Sequence, residues 1–207
     1  MPDRLFFPLA LLLAAAFVFI ALRPFDDRAP RGAVSGGGRN AEDVTVKGQE
    51  LHRFLAGKSP GLSIETESGQ PIARITRLAD EVYEDPRSGP HLVLAEDLEY
   101  AFESRPLEVI IEARSVGDFA ATQFQADYLA RAGGESGWQT FTLTPEFAPY
   151  AFTWTTPKRG DSEGYDFIGV RPVAPDKRRT MEIRSIRIHA LGPKELPPLE
   201  PSNSPLP

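Results

Sequence analysis

Two aromatic residues beside glycine-rich segments have the surroundings in this sequence that best suit ligand chemistry. Trp138 follows segment 133–137, which contains three glycines, and Tyr165 follows Gly164. Aromatic rings bind sugars by stacking on their apolar faces, while a few polar groups fix the orientation. Trp138 and Tyr165 are therefore predicted to contact a ligand. Further aromatic candidates are Tyr128, Tyr150 and Trp154.

A row of polar side chains could supply the accompanying hydrogen bonds. Gln123, Gln125 and Asp127 alternate with apolar residues, so they share one face of an expected strand. Gln125 and Asp127, together with Tyr128, complete the predicted ligand-binding set. A solvated strand face explains the polar row equally well, and the alternating Tyr150, Phe152 and Trp154 also have the pattern of core residues.

Residue patterns that carry catalysis are lacking in this sequence. His52, His91 and His189 are far apart and lack the i, i+4 spacing of a zinc helix. Ser136 lacks the Gly-x-Ser-x-Gly elbow, and most acidic residues fall at outward strand positions or in turns. We predict no enzyme activity, no cofactor and no metal centre. A structural calcium ion is left open, with Asp161, Glu163 and Asp166 as the oxygen ligands.

Composition narrows the range of partners. Acidic residues outnumber basic ones by 29 to 23, for a formal net charge of −6. Nucleic acid is therefore excluded as a predicted partner, because phosphate neutralisation needs a basic face. The chain has no cysteine, which excludes disulfides, thiolate metal sites and a cysteine nucleophile.

The dominant hydrophobic period between residues 44 and 191 is two, which is typical of β-strands. In the segment after Pro106, one face carries Leu107, Val109, Ile111 and Ala113, and the other carries Glu108, Glu112 and Arg114. Five or more such segments, separated by turn residues, predict an all-β domain of nine or ten strands in two packed sheets. The best helix candidate is the short segment 95–102.

The last predicted strand contains a phase change. Met181 and Ile183 lie in one alternation phase, and Ile186 and Ile188 lie in the other. A one-residue slip would expose half of this apolar set. A β-bulge near Arg184 and Ser185 is therefore predicted, because one extra residue returns both halves to the core.

These strand motifs resemble the jelly-roll fold of carbohydrate-binding modules and galactose-binding-like domains. The residues that carry the resemblance are LEVIIEARS from Leu107, GWQTF from Gly137, YAFTW from Tyr150, DFIGVRP from Asp166 and MEIRSIRI from Met181. The resemblance covers residues 61–191 and implies a two-sheet jelly-roll sandwich. That family includes sugar binders, enzyme appendages and protein-interaction modules, so the fold alone does not transfer a function.

An apolar run precedes the domain. From Leu5 to Leu22 the chain has 18 residues without a charge. A helix of this length spans about 27 Å, close to the ~30 Å hydrocarbon core of a bilayer. The exit through Arg23 and Pro24 lacks a small-x-small cleavage site. Residues 5–22 are predicted to form a retained transmembrane helix, and the alternatives are a cleaved signal peptide and a buried core helix.

Membrane orientation rests on two opposing observations. Arg23, Arg28 and Arg31 follow the apolar run and only Arg4 precedes it, a distribution that favours a cytoplasmic domain. However, the N-terminal tail has only four residues, a layout typical of signal-anchors that send the following domain outside. We predict a single-pass inner (plasma) membrane protein with residues 1–4 in the cytoplasm and the domain in the periplasm or exterior.

Segments without hydrophobic periodicity flank the domain. Residues 23–43 contain Pro30 and three consecutive glycines and are predicted to be a flexible linker. Residues 192–207 contain six prolines and are predicted to be a disordered tail. The sequence therefore predicts a membrane-anchored, non-catalytic binding module for glycan or another envelope component. The alternative is an accessory subunit of a membrane complex that binds protein through its sandwich.

Overall fold

The computed structural model describes residues 10–15, 17–18, 29–81, 84–131, 133–159 and 164–192. The strands within these ranges are β1 (Asp43–Lys47), β2 (Leu62–Glu67), β3 (Gln70–Arg77), β4 (His91–Leu94), β5 (Pro106–Ser115), β6 (Gln123–Ala130), β7 (Gly134–Glu135), β8 (Gln139–Thr142), β9 (Ala148–Thr155), β10 (Asp166–Pro172) and β11 (Arg179–Ala190). Helix α1 (Glu96–Phe102) lies between β4 and β5, close to the predicted segment. Short 3-10 helices cover Gly48–Arg53 and Pro86–Ser88.

These strands form two antiparallel sheets, as the predicted sandwich requires. The large sheet has the order β2-β3-β11-β5-β9, and β1 also pairs with β11. The small sheet has the order β4-β10-β6, and both β7 and β8 pair with β6. From β3 to β6, and again from β9 to β11, successive strands alternate between the two sheets.

Alternation along the strands fills the space between the sheets. On β5, the side chains of Leu107, Val109 and Ile111 are 0 % exposed, whereas the intervening residues reach the surface. On the small sheet, Phe124 and Ile168 are likewise fully buried. Each such side chain contributes about 1.5–3 kcal/mol of hydrophobic stabilisation. The single apolar core explains why period-two patterning predicted the fold class correctly.

Strand β11 contains the predicted bulge. Ile183 pairs with Ala113 of β5 and Ser185 pairs with Glu112, so Arg184 is the extra residue. As a result, Met181, Ile183 and Ile186 all face the core. The bulge also separates two pairings on the other side of β11. Residues 179–183 pair with β3, and residues 185–189 pair with β1.

An ionic network covers the outward side of the large sheet. Glu182 is fully buried although it points away from the core. It lies opposite Arg74 on β3 and Arg114 on β5. Arg74 donates to one carboxylate oxygen from Nε at 3.0 Å, and Arg114 donates to the other from Nε at 2.7 Å. Two cations thus satisfy one carboxylate, which makes its burial tolerable.

The predicted membrane anchor falls largely outside the described residues. Of the run from Leu5 to Leu22, residues 10–15 and 17–18 are described, and they are helical. Within the described ranges, no helix is both long enough and apolar enough to cross a bilayer. The predicted tail 193–207 and linker residues 23–28 also lie outside the described residues.

Core packing predicts very different losses of stability for the same substitution at two neighbouring positions. Ile111→Asp places a charge without a partner between the sheets and should destabilise the domain by about 4 kcal/mol or more. Ile110→Asp places the same charge on the outward side of β5, opposite Arg187, and should cost about 1 kcal/mol or less. Urea denaturation of both variants measures the difference, and equal losses would contradict this assignment of the core face.

Candidate ligand-binding site

Three neighbouring strands place polar side chains in one row on the small sheet. On β10, Arg171 lies between the core residues Val170 and Pro172, so its side chain points away from the large sheet. The strand register puts Gln125 of β6 opposite Arg171 and Thr140 of β8 opposite Gln125. We refer to Thr140, Gln125 and Arg171 as the outer row. Sequence reasoning found Gln125 but missed Thr140 and Arg171, because only strand register brings them together.

Hydrogen bonds connect the outer row. Gln125 donates from Nε2 to Thr140 Oγ1 at 3.1 Å. Its Oε1 accepts from Arg171 Nε at 2.9 Å. The amide of Gln125 is therefore held in one orientation and in turn directs the guanidinium of Arg171. Thr140 is exposed, and Gln125 and Arg171 are half-buried, so the row lies at the surface.

Trp138 lies directly beside the outer row. The Arg171 guanidinium carbon is 3.7 Å from the centroid of the Trp138 ring, a cation–π contact. The indole N–H donates to the Glu84 carbonyl at 3.0 Å. Gly137, with a φ of +69°, turns the chain immediately before the ring. The half-buried indole is thus fixed on two sides, and a part of it remains at the surface.

The loop segment before β4, residues 84–90, covers the neighbouring part of the same sheet face. Pro86 sits directly over Gly169 of β10, where an added Cβ would lie 2.6 Å from the Pro86 Cβ. Next to it, Phe167 packs against the edge of His91 at 5.8 Å, and Arg87 lies over the Phe167 ring. The loop therefore closes the β4 side of the face and leaves the outer row accessible beside Trp138.

Asp127 belongs to the same face but is closed off from a ligand. Its side chain is 0 % exposed, and Oδ1 accepts a hydrogen bond from Ser136 Oγ at 2.9 Å. Burial raises the pKa of Asp127, and the Ser136 hydrogen bond opposes that effect. Asp127 therefore fastens the turn before Trp138, which corrects its predicted role as a sugar ligand.

Tyr128 faces the opposite way, into the core. Its side chain is 0 % exposed, and its ring packs against Trp154 with centroids 5.2 Å apart. The hydroxyl donates to Asp166 Oδ2 at 2.7 Å, and burial raises the pKa of Tyr128. No ring face is available for stacking, so the prediction that Tyr128 contacts a ligand is wrong. Asp127 and Tyr128 are consecutive residues of β6, so their side chains point to opposite faces of the small sheet.

Tyr165 is exposed but lies elsewhere. Its side chain is 49 % exposed, and it lines a separate cleft of about 330 Å³ with Glu96, Arg159 and Gly164. Tyr165 precedes β10 and Arg171 is near its other end, six residues later, which is roughly 20 Å along a strand. Arg159 and Glu96 in this cleft bind each other at 3.2 Å. The predicted ligand residues therefore do not form one site.

Beside that cleft, helix α1 buries an acidic side chain that the sequence analysis did not identify. Glu99 is 6 % exposed, and its nearest basic partner is Arg159, with Nε 3.8 Å from Oε2. Burial, reinforced by the negative charge of Asp166, raises the pKa of Glu99 to about 7, while Arg159 acts in the opposite direction. Burial also raises the pKa of Asp166. Helix periodicity alone could have placed Glu99 beside Leu98 and Phe102, but not beside Asp166.

Of the three predicted calcium ligands, the structure describes Asp166. Asp161 and Glu163 lie outside the described residues. Asp166 is described, and its two oxygens accept from Tyr128 and from the Arg131 backbone N–H at 2.9 Å. Among the described residues, no group of three or more metal-binding side chains occurs. Structural calcium remains a sequence-based hypothesis.

No family model matches this chain, and no curated protein matches it. Among solved structures, the CBM22-1 xylan-binding domain of Xyn10C from Paenibacillus barcinonensis aligns with a TM-score of 0.48 and 10 % identity, covering 77 % of this chain and 98 % of that domain. The C-terminal CBM6 of LamC from Zobellia galactanivorans gives 0.39 and 10 %, covering 71 % and 98 %. CBM6cm-2 of lichenase 5A from Cellvibrio mixtus, in complex with cellotriose, gives 0.38 and 10 %, covering 70 % and 95 %. These three neighbours are carbohydrate-binding modules.

The raised pKa of Glu99 predicts a stability change with pH. Because the folded-state pKa lies near 7 and the ordinary value is 4.5, the folded protein holds this proton more tightly. Its contribution is fully present below pH 4.5 and is lost as pH rises through about 7. Between low and high pH, the free energy of unfolding should therefore change by about 1–3 kcal/mol less in Glu99→Gln than in the wild type. Urea denaturation at pH 4.5 and pH 8 tests it.

The matched control is Glu146→Gln, which removes an exposed carboxylate between β8 and β9, away from Glu99 and Arg159 in the ion-pair network. The Glu146 variant should keep the pH dependence of the wild type. Identical pH profiles for the wild type and Glu99→Gln would show that Glu99 does not carry the effect.

Proposed function

We propose that the sandwich is a non-catalytic glycan-binding module that uses Trp138 and the outer row. The observation that carries this proposal is the convergence of one surface aromatic ring with an oriented amide, a hydroxyl and a guanidinium. The indole offers an apolar contact for a pyranose ring. Gln125, Thr140 and Arg171 offer hydrogen-bonding groups for sugar hydroxyls, held in position by contacts within the protein.

The Tyr165 cleft is the weaker of the two aromatic sites. Its polar groups, Glu96 and Arg159, satisfy each other, so a sugar would have to break an existing ion pair. Arg159 also stacks over the ring of Tyr100 at 3.9 Å. The outer row needs no such rearrangement. Its residues hydrogen-bond one another and still lie at the surface, so a sugar could bind without breaking an ion pair.

One observation favours a second candidate function, the binding of protein. The outward side of the large sheet has a cleft of about 630 Å³ where β1 and β3 meet at the bulge. Ile110, Pro71 and Pro149 are apolar lining residues, and Lys47 and Arg184 are among the charged ones. An apolar cleft with polar groups at its margin suits a protein segment. In this reading the chain is an accessory subunit of a membrane complex.

We also propose that residues 5–22 hold the module at a membrane, with the sandwich outside the cytoplasm. Support comes from the sequence: 18 residues without a charge, and no credible cleavage site after them. Fusion of a phosphatase to the C terminus should give an active enzyme only if that end is outside the cytoplasm. Activity of a cytoplasmic reporter alone would refute the orientation, and a mature N terminus after Arg23 would refute the anchor.

The binding proposal predicts different results for the two exposed aromatic residues. Trp138→Ala should weaken binding on a glycan array by about 10-fold or more, since stacked rings act as hot spots. The same change should cost about 2 kcal/mol of stability, from the lost Glu84 hydrogen bond and the Arg171 contact. Tyr165→Ala should retain binding. The full chain in detergent micelles is used throughout, with a thermal melt of each variant.

Two outcomes would contradict this assignment. Loss of binding in Tyr165→Ala with retention in Trp138→Ala would move the site to the Tyr165 cleft. Failure of the wild type to bind any saccharide on the array would refute the glycan proposal and leave protein binding as the better candidate.

A further inference from the structure

The charge environment of Arg171 separates it from most arginines of the sandwich. Arg184 pairs with Glu112 and Arg187 pairs with Asp43, as Arg74 and Arg114 pair with Glu182. Within the described ranges, no carboxylate lies at ion-pair distance from Arg171. Its contacts are the Gln125 amide oxygen and the Trp138 ring. The site therefore holds a cation that the protein does not neutralise directly.

The surroundings of Arg171 increase this local positive potential. Arg77, at the end of strand β3 of the large sheet, donates from its guanidinium to the carbonyls of Glu81 and of Pro172, the residue after Arg171. Burial and, to a smaller extent, the positive charge of Arg77 lower the pKa of Arg171 to about 10, against the effect of Asp127. Arg171 is still charged at neutral pH. Asp127, the acid on the same face, is fully buried and bound to Ser136.

The geometry of Arg171 determines which of its groups can meet a ligand. Its Nε–H is used by Gln125, and one face of the guanidinium lies on the indole. The two Nη groups are the remaining donors, and they have no hydrogen-bond acceptor among the described residues. A planar pair of N–H donors matches the two oxygens of a carboxylate. Because Gln125 and Trp138 already fix the guanidinium, little conformational entropy is lost on binding.

We infer that the ligand of this site is an acidic saccharide whose carboxylate is bound by the Nη groups of Arg171 while its sugar ring contacts Trp138. The inference rests on the proposed glycan-binding function and specifies its ligand class. A general attraction for polyanions does not account for such binding, because the net charge of the chain is −6. The preference for acidic over neutral saccharides instead comes from Arg171, the one oriented cation in an otherwise neutral outer row.

The test compares charged and neutral forms of the same sugar chain. Oligogalacturonate, oligoglucuronate and oligomannuronate are titrated by calorimetry into the full chain in detergent micelles, each beside its methyl ester. At least one acidic oligomer should bind about 10-fold or more tightly than its ester. Raising the salt concentration from about 50 to about 500 mM should weaken the acidic form and leave the ester unchanged.

Variants then assign the preference to one residue. Arg171→Gln should reduce the difference between acid and ester to about 2-fold or less, while Arg171→Lys, which keeps the charge without the planar fork, should be intermediate. Arg178→Gln is the matched control, because Arg178 is an exposed arginine that also stacks on an aromatic ring, that of Phe119 at 3.9 Å, and among the described residues it has no hydrogen bond or ion pair with the outer row. It should keep the wild-type preference, and thermal melts verify that each variant is folded.

The possible failures are distinguishable. Equal binding of acid and ester by the wild type would overturn the inference and leave the glycan proposal standing. Equal loss of preference in Arg171→Gln and Arg178→Gln would also overturn it, because the effect would then reflect net charge. Absence of binding to any of these oligosaccharides, together with an empty glycan array, would overturn the glycan proposal itself.

Discussion

The bulge at Arg184 is the constraint on which the rest of the sandwich depends. Strand β11 has twelve residues and pairs with three other strands. Without the bulge, side chains along β11 would alternate strictly, so a strand that buried Met181 and Ile183 would expose Ile186 and Ile188. One extra residue restores the phase, so β11 presents a continuous apolar face. The bulge also separates the two halves of one edge of β11, where β3 pairs with residues 179–183 and β1 pairs with residues 185–189. The strand composition of the large sheet therefore depends on it.

Alternation that fills the core also creates outward positions, and the two sheets use them differently. On the large sheet, Glu182 is buried between Arg74 and Arg114, and further arginines pair with acids. On the small sheet, the accessible outward row is neutral except for Arg171. A carboxylate beside Arg171 would have formed another structural ion pair. No carboxylate of the described residues lies at ion-pair distance from Arg171, and this, together with the Trp138 contact, is why the proposed ligand site is assigned to this row.

Buried polar groups hold the loops around that row. Asp127 accepts from Ser136 and so positions the turn that presents Trp138, while the Glu84 carbonyl accepts the indole N–H. Pro86 packs on Gly169 and closes the adjacent part of the sheet. At the far end of β10, Asp166 binds Tyr128 and Arg131. These contacts join segments distant in sequence, and they explain why residues predicted to bind ligand at Asp127 and Tyr128 have structural roles instead.

The amino-acid sequence by itself determined the strand content, the core face of β5, the short helix α1 and the bulge in β11. These features follow from local periodicity, since hydrophobic side chains two residues apart must face one core. Strand register and loop packing were decided only by the tertiary structure, because they depend on hydrogen bonds between segments far apart in the chain. Register aligned Thr140, Gln125 and Arg171 in one row and placed Tyr165 at the other end of β10. Loop packing then buried Asp127 and left Trp138 beside an arginine that no local pattern could have selected.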